Sequence, residues 1–324
     1  MLISAGLVLL GLVLLTVGGD WLVRGASGIA LLARLTPAVV GLTVVAAGTS
    51  MPEMVVSVQA SLDGKPDLSM GNIVGSNIFN VAAILGIAAL IHPLRIQGST
   101  VRMEWPVMFL SSLLLLVLAR DGVIDRMEAG LFLVGMIVFV SYAVYLARRT
   151  LTVEKAEFEE EMVTASFGRT GGQAWVFNLL AVLVGVGLLI GGSTSLVKGA
   201  TDIALHFGVS EAVVGLTVIA AGTSLPELAA SVMAGLRGRD DIAVANVVGS
   251  CIFNVLGILG VAGTIKPLPV ADEILSRDMF WMVGVALLMF PLMMTGRRIN
   301  RLEGLVLLGC FLTYLVLLIK SQLG

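Results

Sequence analysis

Charged residues are scarce in this chain of 324 residues: Asp, Glu, Lys and Arg make up 13% of it, against 57% hydrophobic residues. Soluble globular domains carry about 25% charged residues. A water-soluble protein of this size could not bury so much apolar sequence, so most of its surface must face membrane lipid. The net charge of −2 gives no reason to expect a nucleic-acid partner.

Residues that support other kinds of chemistry are also few. The two cysteines, Cys251 and Cys310, lie in apolar runs, which argues against a disulfide framework. The two histidines lie at the ends of apolar segments, so a histidine metal site is not expected. No HExxH, GxSxG or nucleotide-binding loop occurs, which argues against an enzyme. We expect no cofactor, and no obligatory protein partner is evident.

Long apolar segments dominate what is present. A helix of about twenty apolar residues crosses the core of a bilayer. Charged and turn-forming breaks divide the chain into ten such segments, at roughly 4–31, 37–61, 69–91, 103–119, 129–147, 174–200, 211–235, 243–265, 279–296 and 303–320. The first has no basic region before it, so we interpret it as a span and not as a cleaved signal. The sequence predicts an all-α protein of the inner (cytoplasmic) membrane with ten transmembrane helices.

The basic residues predict how these spans are oriented. With both termini outside, the cytoplasmic connections hold twelve Lys and Arg residues and the opposite side holds seven, which favours this orientation. The long connection at 148–173, with its acidic cluster Glu154–Glu161, then becomes a cytoplasmic linker. Asp20, four residues before Arg24 in the first span, is expected to form a local ion pair with it.

An internal repeat organises the chain. Residues 39–90 align without a gap to residues 213–264 at an offset of 174, with 31 identities in 52 positions. Five spans separate equivalent points, and an odd number places the second copy upside down relative to the first. The sequence thus predicts two inverted five-helix repeats, 1–147 and 174–324. Inverted repeats place a substrate site near the midplane and support alternating access. Below, the counterpart of a residue is the one 174 positions away.

The repeat places one carboxylate of each copy deep in an apolar helix. Glu53 lies in GTSMPE and Glu227 in GTSLPE. An ionised carboxylate at the bilayer centre costs at least about 2.5–3.5 kcal/mol, and two would repel each other unless a cation or proton compensates them. Pro52 and Pro226 leave the carbonyls four residues earlier without their helical donors. Carbonyls beside carboxylates are hard oxygen ligands, which predicts a site for Na⁺ or Ca²⁺.

A second polar stripe accompanies each carboxylate. Its members follow one another at intervals of four residues: Asn72, Ser76 and Asn80 in one copy, Asn246, Ser250 and Asn254 in the other. Asn72 and Asn246 either complete the site or hold neighbouring helices together. Ser57 and Ser231 are expected to bond to their own helices. Thr49 and Thr223 precede the glutamates by four residues and so share a helical face with them.

GTSMPE with GNIVGSNIFN, and GTSLPE with ANVVGSCIFN, are similar to the two alpha-repeats of the cation/calcium exchanger superfamily, and most of all to its prokaryotic sodium/calcium exchangers. The resemblance covers essentially the whole chain. It implies a set of residues that bind calcium and sodium: Glu53, Glu227, Thr49, Thr223, Ser50, Ser224, Ala46, Ala220, Ser76, Ser250, Asn80 and Asn254. It also implies that the first helix of each half slides across a fixed core of eight helices.

These observations predict an antiporter that exchanges Ca²⁺ for Na⁺. A calcium or other cation/proton antiporter on the same architecture is the alternative, because both glutamates can take up protons. A channel is disfavoured because inverted repeats with broken helices are typical of transporters. Some relatives carry Asp where this chain has Asn254, among them the potassium-dependent exchangers, so we expect no potassium requirement. The sequence alone does not fix the stoichiometry, although the resemblance favours three sodium ions per calcium.

Overall fold

The computed structural model describes residues 1–33, 35–150, 171–207 and 220–323, and in these ranges the chain is helical apart from turns and four two-residue strands. The helices of the first half are α1 (Leu2–Ala33), α2 (Pro37–Thr49), α3 (Met51–Leu62), α4 (Pro66–Ile91), α5 (Thr100–Asp121) and α6 (Arg126–Thr150). Those of the second half are α7 (Gly171–His206), α8 (Ala220–Gly222), α9 (Leu225–Leu236), α10 (Asp240–Ile265), α11 (Ile274–Met294) and α12 (Arg301–Leu323).

Eight helices in the described ranges are long and apolar enough to cross a membrane, and the bent pair α2 and α3 makes a ninth candidate. They coincide with nine of the ten predicted spans. The remaining one, 211–235, begins outside the described residues and is represented by α8 and α9. Most of the predicted linker 148–173, including Glu154–Glu161, also lies outside the described residues. The prediction of an all-helical, multi-pass membrane protein is confirmed.

The chain breaks where the repeat carries its Ser-x-Pro sequence. α2 and α3 meet at an angle of 49°, and Ser50 between them has ψ near 10°. Ser224 has ψ near 7° at the start of α9. Pro52 and Pro226 occupy the first turns of the following helices, where a missing N–H costs nothing. The expectation that Thr49 shares a continuous helical face with Glu53 is therefore wrong, because the helix ends between them.

Two helices form the centre of the protein. The apolar stretches of α4 and α10 are 78% and 94% buried, whereas those of the other six long helices are between 22% and 39% buried. Both central helices contain a π-helical segment at the same place in the repeat, Phe79–Ile84 and Phe253–Ile258. Such segments shift the backbone hydrogen bonds by one residue and are frequent at functional sites.

The short strands pair crosswise between the two halves. β1 (Leu94–Arg95) follows α4 and pairs with β4 (Arg298–Ile299), which precedes α12. β2 (Val123–Ile124) follows α5 and pairs with β3 (Leu268–Pro269), which follows α10. β3 is the counterpart of β1. Since α5 runs from β1 to β2, the turns after α4 and after α10 lie at opposite ends of α5.

The first helix of each half lies against the other. α1 and α7 approach closely along most of their length, and glycines make this possible. A Cβ atom at Gly18 would lie 2.9 Å from the carbonyl oxygen of Gly185, and one at Gly185 would lie 2.7 Å from the backbone nitrogen of Leu22. Small residues commonly allow this backbone approach in membranes. The two helices form a pair beside the central core.

Candidate functional site

The two predicted carboxylates lie at equivalent places in the two halves. Glu53 stands in the first turn of α3 and Glu227 in the first turn of α9, with exposed fractions of 1% and 0%. Each follows a chain break, so it stands near a helix N-terminus, whose partial positive charge favours an anion. The helix termini therefore offset part of the cost of burying both acids.

Serines from the opposite copy hold both carboxylates. Ser50 Oγ donates to Glu227 Oε1 at 2.7 Å, and Ser224 Oγ donates to Glu53 Oε1 at 2.8 Å. The other oxygen of each glutamate, Oε2, is buried without a hydrogen-bond partner among the described residues. The ion pairs found in the described ranges involve neither glutamate. The crossed bonds bring elements of both halves together and leave one oxygen of each acid unused.

The asparagines at the start of the polar stripe connect helices. Asn72 Nδ2 donates to the carbonyl of Glu53 at 3.2 Å and to Ser57 Oγ at 2.9 Å. Asn246 Nδ2 donates to the carbonyl of Glu227 at 3.3 Å and to Ser231 Oγ at 2.9 Å. Of the two interpretations left open, the structure supports helix connection. Ser57 and Ser231 accept hydrogen bonds from the next helix. The sequence had predicted bonds within their own helices only.

The residues just before each break are in different situations. Thr49 is fully buried, and its hydroxyl lies 3.1 Å from the carbonyl of Val45 and 3.3 Å from Asn246 Oδ1. The Ala46 carbonyl accepts the backbone N–H of Ser50 at 3.0 Å. In the second half, Thr223 Oγ1 is buried without a partner in the described part of the chain, and Ala220 begins α8. Binding of a cation by these four residues stays a prediction.

One of the carbonyls released by the prolines already has a donor. The carbonyl of Gly222, four residues before Pro226, accepts a hydrogen bond from Ser193 Oγ of α7. The repeat does not indicate Ser193, because its counterpart is Gly19, which has no side chain. The bond joins α7 to the chain break between α8 and α9.

The rest of the polar stripe also supplies buried oxygens. Ser76 Oγ lies 3.4 Å from Ser224 Oγ. Ser250 Oγ and Asn254 Oδ1 are buried without partners within the described ranges. Asn254 Nδ2 donates to Asn77 Oδ1 at 3.0 Å. Asn77 was missed because it does not repeat: its counterpart is Cys251. A buried amide beside a repeated motif was the available signal.

The side chains gathered around Glu53 and Glu227 offer oxygen atoms, two carboxyl groups among them. No group of three or more His, Cys, Asp or Glu side chains capable of holding a metal occurs among the described residues. The oxygens that accompany Glu53 and Glu227 are therefore neutral hydroxyls and amides. Hard cations such as Ca²⁺ and Na⁺ accept such ligands. Softer metals prefer Cys and His.

A further polar contact lies away from the carboxylates. Asp20 pairs with Arg24 at 3.0 Å, as predicted, and also with Arg237 at the end of α9. The second pair connects α1 to a core helix, which the sequence spacing could not indicate.

Comparisons with known proteins agree over almost the whole chain. The family described as sodium/calcium exchanger protein matches residues 3–145 and 177–320. The putative antiporter CaxA of Alkalimonas amylolytica is 40% identical over 99% of this chain and 100% of its own length. The inner membrane protein YrbG of Escherichia coli is 36% identical over 98% of this chain and 97% of its own. The sodium/calcium exchanger MaX1 of Methanosarcina acetivorans is 31% identical over 96% of this chain and 97% of its own.

A solved structure agrees as well. The sodium-calcium exchanger NCX_Mj, soaked with Na⁺ and Sr²⁺, superposes with a TM-score of 0.82 at 30% sequence identity. The match covers 97% of this chain and 98% of that one. The similarity thus extends from sequence to fold.

Proposed function

Because the chain belongs to the sodium/calcium exchanger family of the cation/calcium exchanger superfamily, and so to the cation/calcium antiporters, we propose that it exchanges Ca²⁺ for Na⁺ by alternating access at a site shared by its two halves. The similarity to the sodium/calcium exchanger MaX1 and to the sodium-calcium exchanger NCX_Mj supports both ions as substrates. The similarity to the inner membrane protein YrbG supports a place in the inner membrane.

The observation that carries this proposal is the pair of buried carboxylates with unused oxygens. Glu53 and Glu227 each keep one oxygen that no described residue occupies, and neither has a basic partner among the described ion pairs. A buried charge is strongly destabilising when its partner is removed. One Ca²⁺ neutralises both acids. The change of conformation is therefore possible with the ion bound, and it is disfavoured while the site is empty and charged.

The charges of the bound ions determine whether the exchange of sodium for calcium moves net charge. Three Na⁺ at two carboxylates leave a net charge of +1, whereas one Ca²⁺ leaves none. Exchange of three sodium ions for one calcium would therefore be electrogenic. Competition of both ions for the same oxygens supplies the coupling, because a ligand shifts the transporter only through its differential affinity for the two states. We propose the oxygens of Thr49, Thr223, Ser50, Ser224, Ala46, Ala220, Ser76, Ser250, Asn80 and Asn254 as the neutral ligands.

Several contacts support two inverted five-helix repeats, 1–147 and 174–324, in a ten-helix protein. Swapping the two halves turns the strand pair β1–β4 into the pair β3–β2, and turns the Ser50–Glu227 bond into the Ser224–Glu53 bond. A two-fold axis in the membrane plane would relate the halves in this way. Inverted repeats of this kind are a recurrent device of secondary transporters. The connection 148–173 would be the linker between them, on the cytoplasmic side with both termini outside.

An asymmetry supports alternating access. α1 packs extensively on α9, while the equivalent packing of α7 on α3 is minor. The two contacts would be equal if both ends of the site were closed alike. With the termini outside, the α1–α9 contact closes the cytoplasmic end. Sliding of α1 and α7 across the remaining helices would exchange the two contacts.

A calcium or other cation/proton antiporter is the second candidate. It is favoured by the unused Oε2 atoms of Glu53 and Glu227, since either can accept a proton and neutralise its acid without a metal. Two protons would replace one Ca²⁺ without net charge movement. The two candidates differ in the ion whose gradient drives calcium.

Calcium uptake by reconstituted vesicles separates them. Sodium-loaded vesicles diluted into sodium-free buffer, with the proton gradient abolished by a protonophore and the membrane potential clamped, should accumulate ⁴⁵Ca²⁺. Adding external K⁺ should leave this uptake unchanged. Uptake that ignores sodium but follows a proton gradient would replace the sodium proposal with the second candidate. Saturable counterflow distinguishes a carrier from a channel.

A further inference from the structure

The two halves differ at one buried position where they meet. Residue 77 is Asn in the first half, and its counterpart is Cys251 in the second. Both side chains are buried, and each faces the other residue's backbone: Asn77 Nδ2 lies 3.3 Å from the Cys251 carbonyl, and Cys251 Sγ lies 3.9 Å from the Asn77 carbonyl. The contact is thus symmetric in position but not in chemistry, because only one side chain is an amide.

The backbone carbonyl fixes which way the Asn77 amide points. A carbonyl can only accept a hydrogen bond, so Asn77 must present its NH₂ group to Cys251. The sulfur of Met282, a weak acceptor, lies on the same side at 3.7 Å. The carbonyl oxygen of Asn77 is therefore turned away from Cys251.

This orientation determines the orientation of Asn254. Asn254 Nδ2 donates to Asn77 Oδ1 at 3.0 Å, and an amide that gives its NH₂ group to one neighbour presents its oxygen elsewhere. Asn254 Oδ1 is buried without a partner among the described residues, as is Ser250 Oγ one turn earlier. A buried acceptor without a donor costs free energy, which a bound cation would recover.

The other half has no such arrangement. Asn80, the counterpart of Asn254, lies next to the Cys251 thiol, which is a weak hydrogen-bonding group. Neither the oxygen nor the nitrogen of the Asn80 amide has a geometric hydrogen-bond partner in the described part of the chain. The two asparagines therefore occupy equivalent places, yet only Asn254 is held in one orientation.

We propose that Asn77 is a positioning residue that fixes the Asn254 oxygen as a ligand of the transported cation and keeps position 254 neutral. This inference rests on the proposed function. A carboxylate introduced by Asn254→Asp has no N–H for Asn77 Oδ1, so the two oxygens would repel each other. While this carboxylate stays ionised, Asn77 could relieve the repulsion only by turning over, which would place its oxygen against the Cys251 carbonyl. Asn77 thus helps to limit the charge of the site to that of Glu53 and Glu227.

Calcium binding to the purified protein in detergent tests the proposal without requiring transport. Asn77→Cys introduces the side chain that the other half carries at this place, and we expect it to weaken ⁴⁵Ca²⁺ binding about tenfold, as loss of one oriented buried hydrogen bond would. The matched control, Cys251→Ala, removes the counterpart side chain and should leave the Kd within about twofold, because no amide bond to Asn254 is lost. Asn77→Ser serves as a second variant if Asn77→Cys does not fold.

A double-variant cycle separates positioning from a general structural role. In an Asn254→Ala background, Asn77→Cys should change the calcium Kd by less than about twofold, because the group it positions is gone. The inference is overturned, while the proposed function stands, if the factors by which Asn77→Cys and Asn254→Ala change the Kd multiply in the double variant. It is also overturned if Asn77→Cys alone leaves the Kd unchanged. Absence of calcium binding by the unaltered protein would overturn the proposed function and this inference with it.

Discussion

The two halves of the molecule agree around the carboxylates and disagree at the helices that flank them. The Ser50–Glu227 and Ser224–Glu53 bonds are 2.7 and 2.8 Å long, and the bonds from Asn72 to Ser57 and from Asn246 to Ser231 are both 2.9 Å. In contrast, α1 packs on α9 much more than α7 packs on α3. The difference indicates that the carboxylates and their hydrogen bonds are arranged alike in both halves, whereas the packing of α1 and of α7 is not.

Local residues reflect this asymmetry. A Cβ atom at Gly19 of α1 would lie 2.9 Å from Met233 Cγ of α9, so the two helices are in close contact there. On α3, Met51 and Val55 are 41% and 63% exposed, while their counterparts on α9 are partly buried against the core. The uneven cover of α9 and α3 is what the proposed alternating access predicts for a state open at one end.

The largest effect is expected where the halves are most alike. Glu53→Gln and Glu227→Gln keep the shape of the side chain but remove one of the two charges that a calcium ion neutralises. Because removing one partner of a buried charge pair costs about 3–5 kcal/mol, each variant should weaken calcium exchange about 100-fold or more. Glu104→Gln is a matched control, because Glu104 is equally buried but lies at the start of α5. Calcium exchange retained in both site variants, at normal levels of folded protein, would contradict the site assignment.

The crossed serine bonds come next. Ser50→Ala and Ser224→Ala each remove a hydrogen bond to a carboxylate, and bonds to charged groups contribute about 1.5–3 kcal/mol. Calcium binding should weaken about 10- to 100-fold, by a similar factor in both variants. Ser112→Ala controls for loss of a buried hydroxyl, since among the described residues Ser112 bonds only to the Met108 carbonyl of its own helix. A large effect of one site variant with none of the other would break the proposed symmetry.

The helix-connecting asparagines should affect stability equally in the two halves. Asn72→Ala and Asn246→Ala each lose the two hydrogen bonds that the amide donates to the neighbouring helix, and such bonds in membranes contribute about 0.6 kcal/mol on average. Asn246→Ala also loses the 3.3 Å contact with the Thr49 hydroxyl, which keeps the Val45 carbonyl as an acceptor. We expect both to lower the thermal unfolding midpoint in detergent by about 2–4 °C. Thr313→Ala should leave the midpoint unchanged, because in the described part of the chain it loses only a bond to Gly309 within its own exposed helix turn. Unequal shifts of the two asparagine variants would count against equivalent roles.

The smallest effect is expected where the halves differ. Asp20→Asn removes the ion pair to Arg237 that connects α1 to α9, together with the local pair to Arg24 within α1. Partly exposed pairs contribute about 0.2–1 kcal/mol. The ratio of molecules with α1 against α9 to molecules without this contact should therefore fall by up to about fivefold. Distances between spin labels on α1 and α9 would report it. Asp63→Asn, at the counterpart of Arg237, is the control because Asp63 bonds only to Gln59 in the described contacts. An unchanged distance distribution in Asp20→Asn would mean that the pair does not hold α1 in place.

Much of this arrangement could be predicted from the sequence because the repeat encodes it. Two prolines after two serines predict two breaks, and acids in apolar helices predict a shared cation site. The helix breaks and the central burial of Glu53 and Glu227 were confirmed. Periodicity within a helix could not predict the crossed serine bonds, because they join residues 171 and 177 positions apart.

Other features escaped prediction because a helix ends early or because the repeat does not preserve a residue. The helical face shared by Thr49 and Glu53 assumed a continuous helix, and the break at Ser50 removed it. The bonds of Asn77 and Ser193 depend on residues that the repeat does not preserve, so identity between the two copies could not predict them. Comparing the two copies for their differences, as well as for their identities, would have identified both.

The central claim, that carboxylates of both halves bind one divalent ion, is tested most directly by anomalous scattering from crystals of the protein grown with Sr²⁺. We predict one strong peak within coordinating distance of Glu53 and Glu227 together, at about 2.3–2.6 Å for an ion of the calcium type. The peak should disappear in Glu227→Gln. A peak bound by only one of these glutamates, or located elsewhere in the protein with none between them, would contradict the account.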